Sequence, residues 1–410
     1  MLRTVLKAAD VIAGRAGLLD GVIRAEPLLE AACRRTGLSD FGQTPFREPL
    51  RQLLSALHEE ASLSVVGRFA VRWDVLRFLC NVLRLRAQEV ASPGILDQRI
   101  ERPIFITGLP RSGTTFLHRL MLEDPTNRAP LVWQTIYPCQ GQARTAIRRV
   151  SRQLRGFERL APAFRGLHPL TADSPQECSE ITAHVFRSLR FDSTYRIPSY
   201  RRWLDTDGQV AAYRFERRFL QHLQHASGQT RWVLKCPDHL FALSDLRAAF
   251  PDARVVFVHR DPLKVLLSVA QLTEVLRQPF TRRIDRQEIG RQESVRWQEG
   301  AARMIRATRE QPFAEPICHV EYRDLVGDPL GTMTQVYRHF ALEPDAATRD
   351  RVMRAVTEHP DGGYRHRAYR FEDHGLHEAT EREKFLSYIK FFGIESESRR
   401  TASVSASQPA

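Results

Sequence analysis

The sequence predicts an α/β fold: a parallel sheet flanked by helices, behind a helical N-terminal extension. Three observations predict it. Four short β-rich runs, PIFITG (103–108), RWVLK (231–235), ARVVFVHR (253–260) and PICHVEY (316–322), are spread along the chain, three of them flanked by helical patterns. The first and third each break into a turn and then a helical repeat. Residues 1–98 read as helical.

Taken in order, the opening MLRTVLKAADVIAGRAG has no continuous apolar stretch and carries Asp10, so no signal peptide is expected. Asp40-Phe41-Gly42 and Thr44-Pro45-Phe46 predict a turn before the amphipathic REPLRQLLSALHEEASL. VLRFLCNVLRLRAQEV (75–90) carries apolar residues at three-to-four spacing with arginines between them. The expected organisation is a helical region over 1–98, an α/β domain over 99–395 and a disordered tail over 396–410, where SESRRTASVSASQPA is small and polar. Within the α/β domain, 140–225 reads mostly as helix and loop.

Composition narrows the function. Apolar residues make up 42% of the 410 and charged residues 27%, ordinary for a globular protein. No apolar stretch approaches the ~20 residues that cross a bilayer, and a cytoplasmic location is expected. Cys33, Cys80, Cys139, Cys178, Cys236 and Cys318 are scattered without a C-x-x-C pair, which predicts reduced thiols and no metal site. The net charge of +13 comes mostly from arginine. It fits either a solvated basic surface or a polyanionic ligand, since guanidinium binds phosphate bidentately. No basic block with interleaved aromatics is present, so no nucleic-acid partner is expected.

GLPRSGTT (108–115) lies between strand PIFIT and the helical FLHRLMLED. A Gly-rich turn there exposes backbone N–H groups at a helix start and holds a phosphate. It is nearly the phosphate loop G-x-x-x-x-G-K-[ST], with Thr114 where that loop has lysine. The sheet is therefore expected to be of P-loop type. Without that lysine the loop is poorly equipped for a γ-phosphate and Mg²⁺. Its cation is Arg111, Gly113 lets the backbone approach the phosphate, and Thr114 and Thr115 can donate hydroxyl hydrogen bonds to it. RVVFVHRDPLKVLLSVAQL (254–272) repeats the strand–turn–helix, with Asp261 as a cap, Pro262 in the first turn and Arg260 at the carboxyl end of the strand. Arg260 and Ser268 are candidates to clamp another phosphate. Two phosphate sites at two strand ends suit a nucleoside 3′,5′-bisphosphate rather than a triphosphate.

These residues resemble a known family. PRSGTT followed by HRDPLKVLLS is similar to the sulfotransferases that use 3′-phosphoadenosine-5′-phosphosulfate (PAPS), in particular their bacterial branch. RPIFITGLPRSGTTFLHRLM, DSPQEC, RWVLKCPDHL, FPDARVVFVHRDP and YRHRAYRFEDHGL carry the likeness in order. The resemblance implies a PAPS donor, no metal, and in-line displacement of the sulfuryl group onto a hydroxyl or amine. It implies that Arg111 to Thr115 surround the 5′-phosphosulfate and that Arg260 and Ser268 hold the 3′-phosphate. Arg365 and Arg367 would close over that phosphate, although the segment departs from the Arg-Lys-Gly pattern of the cytosolic branch. Lys235, at the end of RWVLK, would serve the sulfuryl and bridging oxygens together with Arg111. For the base, Glu177 comes first, with burial expected to raise its pKa. His239 and His168 follow it. Aromatics over 130–225, Trp133 and Phe157 among them, suit a small-molecule, carbohydrate or lipid acceptor. The alternatives are a P-loop nucleotide kinase or NTPase, and a non-enzymatic polyanion-binding protein.

Overall fold

The computed structural model describes residues 10–13, 15, 19, 21–139, 141–228, 231–358 and 370–397. Five parallel strands, β1 Ile104–Gly108, β2 Asn127–Arg128, β3 Arg231–Lys235, β4 Arg254–His259 and β5 Cys318–Glu321, form one sheet in the order β2-β3-β1-β4-β5. Four coincide with the predicted runs. The fifth, β2, has two residues, pairing with Arg231 and Trp232, and carries no β-rich pattern that a sequence could show.

Successive strand residues point to opposite faces and divide the core into two layers. Phe105, Leu234, Val255 and Phe257 join one apolar cluster. Ile104, Ile106, Val233, Val256 and Val258 join the other, with Leu117, Met333 and Tyr337. Helices α1 Ala25–Thr36, α2 Arg47–Glu59 and α3 Val65–Ala91 cover the first layer. Leu50, Phe78 and Leu83 lie in the same cluster as Phe105, so these helices and the sheet share a core. The predicted turn before α2 is closed by Asp40 Oδ1, which accepts the Gly42 N–H at 2.7 Å. Ser64 caps α3 by accepting the Gly67 N–H at 3.0 Å.

The order of the strands matters for function. The chain runs from β1 to β3 on one side and returns to β4 on the other, so a crevice opens outside the carboxyl ends of β1, β3 and β4. Gly108 ends β1 opposite Val258, and a Cβ there would lie 2.3 Å from the Val258 carbonyl oxygen. Only glycine lets the two strands approach this closely at φ +148°. Helix α4, Thr114–Met121, follows β1 directly. Farther along come α5 Ala143–Leu160, α6 Cys178–Thr182, α7 Val210–His225, α8 Pro262–Arg277 and α9 Arg286–Glu310. Asp261 caps α8 as its sequence predicts, accepting the Leu263 N–H at 3.0 Å. No helix of the described residues is long and apolar enough to cross a membrane.

Candidate active site

The loop from Leu109 to Gly113 turns tightly enough to need two left-handed residues, Arg111 at φ +64° and Gly113 at φ +97°. A Cβ on Gly113 would sit 2.8 Å from the Tyr322 ring. Arg111 has no such excuse, and backbone strain of this kind concentrates at functional sites. Ser112 is fully buried, and its Oγ has no hydrogen-bond partner among the described residues. Thr114 and Thr115 begin α4 and face the crevice.

The two strand-end clusters expected to bind phosphate are stitched together. Arg111 Nε donates to Ser268 Oγ at 3.0 Å, and its Nη1 donates to the Leu167 carbonyl at 2.7 Å. Arg260 Nη1 donates to the Arg111 carbonyl at 2.8 Å. The rest of the Arg260 fork grips Glu397, Nε to Oε1 at 2.8 Å and Nη2 to Oε2 at 2.9 Å, while its guanidinium lies 3.9 Å from the Tyr322 ring centre. Glu397 belongs to the segment expected to be a disordered tail; here it is tied by this bidentate pair, and its N–H donates to Asp261. Arg365 and Arg367 lie outside the described residues.

Lys235 ends β3, in register with Ile106 beside the loop strand. Its ammonium pairs with Glu177. That carboxylate is delivered from far along the chain. The segment 172–176 lies against 130–133: the Val132 N–H donates to the Ser174 carbonyl at 3.0 Å and the Gln176 N–H to the Pro130 carbonyl at 2.8 Å. Glu177 then caps α6 with extended backbone. Glu177 faces the crevice, whereas Lys235 is 3% exposed and lies behind it.

The electrostatics correct one expectation. Burial does push the Glu177 carboxyl up, but the Lys235 ammonium, His168 and the Lys235 hydrogen bond together outweigh it and hold the group below the ordinary glutamate value. The raised pKa falls instead on Asp238, which the sequence reading passed over. Burial and the neighbouring Glu177 charge push Asp238 up to about 7, and it lines the crevice. Its signal was present: an acid three residues past the strand-end lysine in KCPDH.

His239, the second candidate base, is turned away. It is buried against Phe105, its Nδ1 meets the Tyr213 hydroxyl at 2.8 Å, and burial drives it down to about 3. It does not line the crevice. Pro237 opens a tight 3₁₀ turn, and the next two side chains diverge: Asp238 to the crevice, His239 to the core. His168 does line the crevice and is held neutral, down at about 4, chiefly by burial.

The crevice continues into a cavity of about 1280 Å³. Arg111, Thr114, Glu177, Asp238, Arg260 and Ser268 share its wall with apolar side chains that include Ile136, Leu154, Phe157, Phe164, Leu272 and Phe280. Charged groups and a large apolar chamber thus meet in one space. Among the described residues no group of three or more His, Cys, Asp and Glu side chains is placed to hold a metal.

Comparison with known proteins identifies the family. The family model described as "Sulfotransferase family" matches residues 103–346. The omega-hydroxy-beta-dihydromenaquinone-9 sulfotransferase Stf3 of Mycobacterium bovis is 27% identical over 313 residues, 72% of this chain and 76% of that protein. The crystal structure of sulfotransferase STF1 from Mycobacterium tuberculosis H37Rv superposes with a TM-score of 0.79 at 31% identity, covering 89% of this chain and 99% of that one. Sulfotransferase STF9 from Mycobacterium avium superposes with a TM-score of 0.82 at 29% identity, over 92% of this chain and 99% of that one. The family match covers more than half of the 410 residues and runs from the phosphate-loop strand past β5, so the chain belongs to the sulfotransferase family and is a sulfuryl transferase.

Proposed function

We propose that the chain moves a sulfuryl group from PAPS to a hydroxyl or amine on a largely apolar acceptor, by in-line displacement. The observation that carries this reading is the Arg260–Arg111–Ser268 chain of hydrogen bonds, which joins two anion sites at two strand ends. Two further features suit such a donor: the buried Ser112 hydroxyl, without a partner among the described residues, and an Arg260 fork already shaped around a carboxylate. When bound, PAPS supplies the sulfuryl group and leaves as the 3′,5′-bisphosphate.

In this reading Arg111, Ser112, Gly113, Thr114 and Thr115 cradle the 5′ side, and Arg260 and Ser268 hold the 3′-phosphate. Arg365 and Arg367 are assigned to the same phosphate. Lys235 and Arg111 offset the negative charge that gathers on the sulfuryl oxygens, a contribution that grows in a site shielded from water. The base assignment moves to Asp238. A base works best with its pKa near the working pH, and a carboxylate locked to a lysine binds a proton weakly. Glu177 keeps the role of holding Lys235 and raising Asp238. Such pairs, driven apart in pKa, mark acid and base roles. The apolar chamber supports a lipid or other apolar acceptor, as the name of the Mycobacterium bovis relative does.

Thermal unfolding tests the donor. 3′-Phosphoadenosine-5′-phosphate at about 100 times its Kd adds ~2.7 kcal/mol to the folded state, so it should raise Tm by several degrees. ATP with Mg²⁺ should not. A shift with ATP–Mg²⁺ alone would reinstate the kinase reading.

The pH profile tests the base. Asp238 is ionised only above about 7, so kcat/KM should rise through an inflection near that pH. Asp238→Asn should remove the rising limb. Glu177→Gln deletes the charge that helps to raise Asp238, so the inflection should move to lower pH. A profile flat from pH 5 to 9 would return the role to Glu177, which stays ionised across that range.

A further inference from the structure

Helix α5 has a face that the proposed chemistry does not use. Residues 143–160 hold six arginines and one acid, Glu158. Arg144, Arg148, Arg152, Arg155 and Arg159 recur at spacings of four and three, so they stack on one side of the helix, and all five are exposed. The opposite side is apolar: Ala146 and Val150 are buried, and Leu154, Phe157 and Leu160 line the large cavity.

A charged helix face is ordinarily laced with opposite-sign pairs. This one is not. Like charges four apart, as in Arg144–Arg148 and Arg148–Arg152, work against the helix in water. Among the described residues no carboxylate lies within salt-bridge distance of any of the six arginines, while arginines elsewhere, such as Arg218 and Arg296, do have such partners. The face leaves its positive charge free to meet an external negative partner.

Its neighbour indicates which one. On α3, Phe69 is 70% exposed and Trp73, one turn later, 41%. Trp73 also lines the large cavity, so one exposed aromatic stands at an opening of the apolar chamber, with Phe69 one turn away on the same helix. A second pocket of about 230 Å³ joins Trp73 to Arg35, Arg84 and Arg149. None of these three arginines is paired with a carboxylate among the described residues, and Arg149 instead lies 4.4 Å from the Tyr137 ring centre. Trp73 lines both the cavity and the arginine-lined pocket, and Arg149 of α5 lines that pocket too, so α5, the pocket and the cavity meet at Trp73. An amphipathic arginine-rich helix flanked by Trp and Phe is the pattern of a surface that lies on a bilayer.

We propose that the outer face of α5, with Phe69 and Trp73, docks on an anionic lipid bilayer, that the Arg35–Arg84–Arg149 pocket takes one lipid phosphate group, and that the acceptor enters the cavity from the membrane. The entry route rests on the acceptor cavity of the preceding section. Docking is read without donor or acceptor, so either can fail alone.

Co-sedimentation of the full chain with vesicles tests it. Vesicles of phosphatidylcholine with roughly one-third phosphatidylglycerol should carry the protein down, and pure phosphatidylcholine should not. Raising NaCl to about 1 M, where the screening length is ~3 Å, should release it. The triple variant Arg144→Glu, Arg148→Glu, Arg152→Glu should lose roughly a hundredfold or more in partitioning, as each basic residue near such a surface contributes about fivefold. These side chains are exposed and do not line the cavity, so its melting curve should match that of the parent. The corresponding triple glutamine variant removes the same three charges and should also lose most of the partitioning, so it decides the case if the glutamate variant does not fold, while the triple lysine variant should keep binding. Equal binding of parent and glutamate variant, or binding to neither vesicle, overturns the proposal. Retention on heparin without vesicle binding overturns it too, and reassigns the face to a soluble polyanion.

Discussion

Lys235→Met is expected to lower kcat by at least about a hundredfold, the scale seen when one preorganised charge is removed from a developing anion. The buried position of this lysine is what makes its effect large. At 3% exposure its ammonium has given up nearly all of its water, so its field acts over a low-dielectric path. Glu177 is its partner in the resting protein. To serve a sulfuryl oxygen, Lys235 must share or exchange that carboxylate. Comparison with Glu177→Gln separates two roles. A lysine that touches the reacting group gives a much larger loss than Glu177→Gln does. A lysine that only positions Glu177 gives equal losses, and an equal pair of values would sink the direct role. Arginine is no substitute, because a planar fork cannot occupy the same narrow strand end as a point charge.

The same variant has a stability signature. In the parent the folded carboxyl of Glu177 binds its proton less tightly than an unfolded one. Such a group stabilises the fold above the ordinary glutamate value of about 4.3, and the contribution disappears as pH falls through the lower folded-state value. Lys235→Met leaves a part-buried carboxylate without its main cation, at a cost of about 1–3 kcal/mol near pH 7. The deficit in Tm should therefore be present at pH 7 and shrink toward pH 4. A deficit independent of pH would mean that the methionine disturbs packing rather than charge.

How much of this was legible in the sequence depends on the range of each interaction. Four strands, the phosphate loop and the Asp261–Pro262 start of α8 are local patterns, written in consecutive residues, and the fold follows them. The two-residue β2 exists only through its pairing with β3, so no local pattern marks it. Arg111 in the loop after β1, Arg260 at the end of β4 and Ser268 on the helix that follows were legible as candidate site residues, but not the hydrogen bonds that join them, one of which spans 157 positions. The error over Glu177 has the same origin. Its burial was foreseeable from the loop entering α6, whereas the lysine that reverses the effect of burial lies 58 residues away. At Pro237 the difficulty is angular. A 3₁₀ turn decides that Asp238 and not His239 faces the crevice, and one-letter spacing carries no such direction.

Arg260→Ala should weaken 3′-phosphoadenosine-5′-phosphate by roughly a hundredfold, the equivalent of the ~1.5–3 kcal/mol of a charged hydrogen-bonded pair. The variant also removes the bond from Arg260 to the Arg111 carbonyl, so the strained loop residue loses a support. Adenosine 5′-phosphate, which lacks the 3′ group, should lose much less, and that contrast separates loss of a phosphate contact from a collapsed loop. Glu397 supplies the converse test. Its carboxylate already occupies the two Arg260 nitrogens that a phosphate would use. If they compete, the bisphosphate must displace Glu397, and Glu397→Gln should tighten binding. The gain is limited, because Glu397 is one-third exposed and water weakens the pair it gives up. A tightening of about fivefold in Kd by calorimetry is expected, worth ~1 kcal/mol. Weaker binding in Glu397→Gln would instead make the carboxylate a support that orients Arg260, since a support is missed when it is removed and a competitor is not.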